Sequence, residues 1–252
     1  MSAEVFQRHE IKFLTDSTQR RFLEDILAGR MVPDAHGEST ICNVYYDTPN
    51  YRLIRRSLEK PVYKEKIRVR SYGTASKDDT VFLELKKKYD GIVYKRRIEL
   101  KESEAESFLN DCAGGNAHLP NPSQIGKEIE YFCRFYGPLL PAVHLCYDRS
   151  AFFSKEDPNL RITFDRNIRW SQRGLSLCAP PVGRQLLDPD ESLLEIKAAD
   201  ALPLWLVRAL DQQNIRQVSF SKYGLAYETG LARSLRPAHR TQPQEERGYV
   251  YV

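Results

Sequence analysis

Four cations fall on alternate positions of one extended segment: Lys64, Lys66, Arg68 and Arg70 take the even places of residues 61–73. Alternate residues of a strand point to one face, so this stretch sets four like charges side by side. Such neighbours repel one another unless an anion lies between them. The next segment puts Glu84, Lys86 and Lys88 on one face and Val81, Leu83 and Leu85 on the other, and then reaches Asp90-Gly91, a strong hairpin signal. A two-residue turn there predicts a register: Tyr89 opposite Ile92, Lys86 opposite Lys95, Glu84 opposite Arg97 and Phe82 opposite Glu99. Leu83 and Ile98, then Val81 and Leu100, pair on the reverse face.

The pattern recurs along the chain. Arg8, Glu10 and Lys12 alternate with His9, Ile11 and Phe13; Tyr147 and Arg149 follow Leu145; Arg161, Thr163 and Asp165 alternate with Leu160, Ile162 and Phe164; Glu195 and Lys197 alternate with Leu194 and Ile196. Strands are expected at 5–14, 39–47, 61–73, 80–88, 91–101, 142–153, 159–170 and 191–198. Helices are expected at 17–28, 50–58, 103–112, 123–136, 203–213 and 220–230, the first capped by Ser17 or Asp16. An open sheet with its charged face in water, or a closed barrel with that face inside, would satisfy this alternation. A water-exposed face has no reason to prefer cations so heavily. Closure also removes exposed strand edges, and the amphipathic helices cover the apolar face. The expected architecture is therefore α+β, a closed antiparallel eight-stranded β-barrel with helices packed outside. A cationic interior is costly when empty, so a bound polyanion is expected.

Composition sets wider bounds. The 252 residues suffice for one sizeable core, read as one domain over 1–230 with a flexible tail over 231–252, where Arg236-Pro237 and Gln242-Pro243-Gln244 fall. The 38 basic residues are nearly offset by 34 acidic ones, leaving +4, so position along the chain carries the information. Cys42, Cys112, Cys133, Cys146 and Cys178 show no CxxC or Cys/His spacing suited to zinc, and read as reduced, mostly buried thiols. His9, His36, His118, His144 and His239 share no spacing and read as structural or surface groups. No apolar run approaches the roughly 20 residues of a membrane span, and Glu4, Arg8 and Glu10 stand where a signal peptide needs apolar residues; a soluble cytoplasmic protein with no membrane segment is expected.

Several segments together resemble a known family. Arg8-His-Glu10-Ile-Lys12-Phe, Lys66-Ile-Arg68-Val-Arg70-Ser-Tyr, Phe82-Leu-Glu84-Leu-Lys86, Val93-Tyr-Lys95-Arg-Arg97, Tyr147-Asp-Arg149, Leu160-Arg161-Ile-Thr163-Phe-Asp165, Leu194-Glu195-Ile-Lys197 and Phe220-Ser221-Lys222-Tyr223 are similar, in this order, to motifs of the VTC (vacuolar transporter chaperone) domain. That domain belongs to the triphosphate tunnel metalloenzymes, related to the CYTH group, and the resemblance covers roughly residues 5–230. It implies a polyphosphate polymerase that moves the terminal phosphoryl group of ATP onto a growing polyphosphate chain, with a divalent cation, Mn2+ or Mg2+. Many CYTH-type triphosphatases begin with Glu-x-Glu-x-Lys, whereas this chain has Arg8-x-Glu10-x-Lys12, which fits phosphate-chain binding better than a two-metal hydrolase.

Phosphoryl transfer needs positioning and charge neutralisation more than covalent help, and a terminal phosphate oxygen is already ionised near neutral pH. Arg68, Arg70, Lys86, Arg149, Arg161 and Lys222 are the expected catalytic cations, the arginines as forked donors and the lysines as point charges. Lys12, Lys66, Lys95, Arg97, Lys197 and Ser221 extend the phosphate cradle, although Ser221 could equally be only a helix cap. Glu195 is the first choice for the metal, with Glu10 and Glu84 as further candidates that could instead hold a neighbouring cation in place. Lys87 and Arg96 fall on the opposite face, and Tyr45 and Tyr46 suit either strand packing or adenine stacking. Two other functions share these residues: triphosphate hydrolysis by a metal-activated water, and non-catalytic polyphosphate binding. Nucleic acid is not expected as a partner, because the basic residues share strand faces with acids instead of interleaving with aromatics.

Overall fold

The chain is described from a computed structural model covering residues 9–35, 37–90, 92–116, 118–120, 122–199 and 201–231. In order, the elements are β1 (His9–Thr15), α1 (Ser17–Arg30), β2 (Met31–Pro33), β3 (Ser39–Asp47), α2 (Arg52–Leu58), β4 (Tyr63–Tyr72), β5 (Thr80–Tyr89), β6 (Ile92–Lys101), α3 (Glu102–Ala113), α4 (Gln124–Tyr136), β7 (Leu140–Ser154), β8 (Arg161–Ser171), β9 (Arg184–Gln185), β10 (Ser192–Ala198), α5 (Leu204–Gln212), α6 (Lys222–Ala226) and a π-helical turn (Tyr227–Leu231). The eight long strands and six helices stand where hydrophobic periodicity puts them. The short β2 and β9 carry too few residues to show a period. Arg8, Gly91, His36, His239 and the tail after Leu231 lie outside the described residues.

The chain divides into two compact units: the described parts of 1–39, 147–168 and 185–252 form the first, and those of 40–146 and 169–184 the second. In the first, β1 pairs antiparallel with β10 and β10 with β8. This places Ile11 against Ile196 and Phe13 against Leu194 on one face, and Glu10 against Lys197 and Lys12 against Glu195 on the other. The apolar face buries Phe13, Ile162, Phe164, Leu194 and Ile196 against Leu23 and Leu27 of α1 and Leu206 and Leu210 of α5. Helix α1 starts cleanly because the Asp16 carboxylate accepts from the Thr18 and Gln19 amides, while the Gln19 side chain returns to the Asp16 amide.

In the second unit the β5–β6 hairpin has the register its turn predicts, from Tyr89 opposite Ile92 to Val81 opposite Leu100. Asp90 takes φ 43°, the left-handed conformation a two-residue hairpin turn demands. Strand β4 pairs with β5, Arg68 opposite Glu84 and Lys66 opposite Lys86, and with β3, Tyr45 opposite Arg68 and Asn43 opposite Arg70. Reverse-face residues Val44, Ile67, Val69, Leu83 and Leu85 form a core with Phe108 and Leu109 of α3 and Ile129 and Phe132 of α4. Lys87 and Arg96, on that reverse side, reach Glu128 of α4 at 3.7 and 3.0 Å. All five cysteines are free thiols, four of them buried.

The expected closed barrel is not formed. Among the described residues strand order follows the open path β1-β10-β8-β7-β3-β4-β5-β6, with β2 added to β7 and β9 to β8, so β1 and β6 are its two ends and share no ladder there. Alternation reports which face of a sheet is charged but says nothing about whether its edges meet. Strand β6 carries the marks of a protected edge, with Lys95, Arg97, Glu99 and Lys101 along one side.

Candidate functional site

In the first unit the charged face of β1, β8 and β10 is organised around two buried carboxylates, Asp165 and Glu195. Arg149, from β7, meets Asp165 with two nitrogens at 2.5 and 2.7 Å and reaches Glu195 Oε2 at 3.1 Å. Lys222, the first residue of α6, lies 2.5 Å from Asp165 Oδ2 and 3.1 Å from Glu195 Oε1, with its ammonium 4.6 Å from the centre of the Tyr147 ring. Lys12 stands 3.2 Å from Glu10 and 3.7 Å from Glu195, and donates to the Phe220 carbonyl at 3.0 Å. Thus Glu10, Lys12, Arg149, Glu195 and Lys222 are brought together. Arg161, on the same strand face, has other neighbours: its guanidinium is 3.7 Å from Asp34 and lies over the Phe153 ring. Lys197 sits across from both Glu10 and Arg161 in the ladders. Ser221 caps α6 by accepting from the Gly224 amide at 3.1 Å.

Electrostatics follow from that packing. Burial opposes ionisation of Asp165 and Glu195, but Arg149 and Lys222, with Lys12 at Glu195, outweigh it and hold both carboxyls below their usual range. Burial likewise opposes the charge on Lys222 and Lys12; their acidic neighbours win and raise both. For Lys197 burial prevails and lowers the pKa, with Glu10 and Glu195 offsetting only part. Because the native Asp165 carboxyl binds a proton less readily than the unfolded one, its contribution to stability is complete above the unfolded value of about 3.9 and is lost as pH falls through the native value. Thermal melts of an Asp165→Asn variant between neutral pH and pH 3 should therefore show a lower melting temperature at neutrality and a shallower acid decline than the parent. An equally steep decline would mean that Asp165 is not the group responsible.

The second unit carries the other cationic set. Glu84, on β5, is fully buried. Arg68 meets its Oε2 with two nitrogens at 2.7 and 2.9 Å, Lys95 is 2.7 Å from Oε1, and Arg70 and Arg97 stand at 4.0 and 3.9 Å. The residue directly opposite in the hairpin, Arg97, is therefore not the closest partner; its guanidinium lies over the Phe82 ring instead. Arg70 Nε donates to Asn43 Oδ1 at 3.0 Å, and Arg68 Nη1 donates to the Tyr45 hydroxyl at 2.8 Å, so Tyr45 and Asn43 orient the two arginines. Burial would raise the Glu84 carboxyl, but Arg68, Arg70 and Lys95 hold it far below its usual range. Lys66, Lys86 and Lys95 lie at one level across three strands.

A divalent cation suits these carboxylates to different degrees. Glu84 and Glu195 are each already ion-paired through both oxygens, Glu84 with Arg68 and Lys95 and Glu195 with Arg149 and Lys222, so either would have to exchange a counter-ion for a metal; Glu195 differs in having a second carboxylate, Glu10, on the far side of Lys12. Glu10 and Glu195 already hold one cation, the Lys12 ammonium, between them. Thr163, opposite Glu195 in the ladder, has a buried hydroxyl with no hydrogen-bond partner among the described residues. These hard oxygen donors fit Mg2+ or Mn2+. Sequence reasoning gave no role to Asp165 or Asn43 and left Tyr45 between strand packing and adenine stacking. Asp165 was visible as the third member of the alternating Arg161, Thr163, Asp165 face; the other two are neutral residues whose role appears only once their partners are placed.

Comparison with known proteins agrees with this picture. The VTC domain family matches residues 7–230. Subunit 4 of the vacuolar transporter chaperone complex of Schizosaccharomyces pombe is 26% identical over an alignment of 152 residues that covers 53% of this chain and 21% of the relative, so the match spans about a fifth of that protein's length. Among solved structures, a Bacillus halodurans protein provisionally described as an adenylate cyclase aligns with a TM-score of 0.52 at 14% identity, covering 85% of this chain and 95% of that one, a likeness of fold alone. With its motifs in order along both units and the family matched across nearly the whole chain, the protein belongs to the VTC domain family.

Proposed function

We propose that this protein is a polyphosphate polymerase, transferring the terminal phosphoryl group of ATP to a growing chain of inorganic polyphosphate. The observation that carries this reading is the charge balance on the second unit's sheet. There Lys66, Arg68, Arg70, Lys86, Lys95 and Arg97 share a face around one fully buried carboxylate, Glu84. So large an excess of cations suits a ligand that bears charge on every repeating unit. Family membership supports the choice of a phosphate chain, as does the likeness to a subunit of the vacuolar transporter chaperone complex.

In this reaction a terminal phosphate oxygen of the chain attacks the γ-phosphorus of ATP. One P–O bond forms, the bond to the ADP oxygen breaks, and ADP leaves with the electron pair. The attacking oxygen is already ionised, so no general base is required of the protein. Arg68 and Arg70, aimed by Tyr45 and Asn43, and Lys86 beside them offer donors to phosphate oxygens. The first unit carries a cationic set of its own, with Arg149 and Lys222 held in place by Asp165 and Glu195 and with Lys12, Arg161 and Lys197 on the same strand face, also suited to phosphate oxygens. Glu10 and Glu195 would hold Mn2+ or Mg2+, which when bound supplies further neutralisation of phosphate charge. None of the described helices is long and apolar enough to cross a membrane. A cytoplasmic location belongs to this reading.

Purified protein incubated with ATP and manganese, with products resolved by gel electrophoresis, tests the assignment. Long polymer accompanied by ADP is expected. Orthophosphate alone would point to hydrolysis, and unchanged nucleotide to a binding module; either result overturns the polymerase.

A further inference from the structure

On the reverse face of the second unit's sheet, away from the cations, three side chains with soft donor atoms converge. Cys42 lies on β3, and His144 and Cys146 lie two residues apart on the neighbouring strand β7, so both project to the same side. The Asn43 side-chain amide donates to the Leu145 carbonyl at 3.1 Å and ties the two strands together at this level. Cys146 Sγ is 3.3 Å from Cys42 Sγ and 3.2 Å from His144 Nε2, and the three donor atoms all lie within 4.8 Å of one another. All three residues are buried, Cys42 completely; the two thiols belong to the apolar core, and the Arg169 charge lies near enough to act on both of them and to favour their thiolate forms. Spacing along the chain could not reveal this group, because Cys42 is separated by about a hundred residues from its partners.

We infer that Cys42, His144 and Cys146 form a binding site for a thiophilic d10 cation, of the zinc(II) or copper(I) kind. Two sulfurs and an imidazole nitrogen select soft and borderline ions over Mg2+ or Mn2+. Bond lengths of about 2.3 Å to sulfur and 2.0 Å to nitrogen place tetrahedral donors roughly 3.5–3.8 Å apart, so small side-chain adjustments bring the observed trio around one ion. The ion replaces the two thiol protons, which leave to solvent, and joins β3 to β7 through three bonds. Other buried thiols of the unit, Cys112 on α3 and Cys133 on α4, lie outside this group. The site shares no residue with the proposed phosphate cradle, so it stands or falls independently of the polymerase reading.

The full chain without a polyhistidine tag, purified under reducing conditions and stripped with a chelator, is exposed to one equivalent of zinc(II) or, anaerobically, copper(I), then desalted and measured for metal and melting temperature. Retention of about one equivalent of either ion with a rise in melting temperature is expected, while magnesium and manganese leave no retained equivalent. Cobalt(II) substitution should show the intense charge-transfer absorption of a thiolate ligand. Cys146→Ser and His144→Gln should each weaken retention at least tenfold, and Cys112→Ser should not. Circular dichroism identifies any variant that does not fold, and the wild-type measurements stand without them. Failure of wild-type protein to retain either ion overturns the site, and so does full retention by a folded Cys146→Ser variant.

Discussion

Replacing Lys86 by alanine is expected to lower the proposed phosphoryl transfer at least a hundredfold while leaving the protein folded. Lys86 lies level with Lys66 on one side and Lys95 on the other, three ammonium groups across neighbouring strands. Lys95 is paired with Glu84 at 2.7 Å, and the excess of cations on this face suits an anionic ligand. Loss of one preorganised cation from a site of developing phosphate charge costs roughly two to three orders of magnitude in turnover, as does loss of a single oxyanion donor. Stability should change little, since Lys86 is only half-buried. Turnover of the Lys86→Ala variant, set beside its urea midpoint, gives both quantities. Unimpaired turnover would remove Lys86, and the level of the sheet it occupies, from the proposed machinery.

The largest effect on stability is expected at Glu84. Its carboxylate is the fully buried partner of Arg68 at 2.7 Å and of Lys95 at 2.7 Å. Glu84→Ala leaves the buried Arg68 guanidinium with the Tyr45 hydroxyl but without its counter-ion. Removing one member of a buried ion pair typically costs about 3–5 kcal/mol, more from the stranded charge than from the lost attraction. Glu84→Gln keeps the shape and loses the charge, and should be nearly as damaging. Adding Arg68→Met to Glu84→Ala removes the stranded charge and should restore a large part of the loss, so the double variant is more stable than Glu84→Ala alone. Equilibrium urea unfolding of the three variants decides this. Were the double variant to lose the sum of two independent penalties, Glu84 would not be the counter-ion that the geometry makes it.

Much of the fold can be read from residue order because strand periodicity and turn chemistry are local. Asp90-Gly91 between two alternating segments determines ten cross-strand pairs at once, and each is found. A slip of one residue would turn Leu83 and Leu85 to the charged side and Glu84 into the core. The cationic faces are legible for the same reason, as are the helices whose apolar stripes cover the reverse faces.

What the sequence determines on its own is thus the set of elements, the face each side chain occupies and the family to which the motifs point. Tertiary structure alone decides the rest: that β1 and β6 end an open path, that Glu84 closes on Arg68 and Lys95 before Arg97, that Asp165 anchors Arg149 and Lys222, and that Cys42 meets His144 and Cys146. Each depends on groups far apart in the chain or on diagonal reach between strands. Periodicity records which way a side chain points, but the partner it meets is chosen by strand order and by the balance between burial and opposite charge.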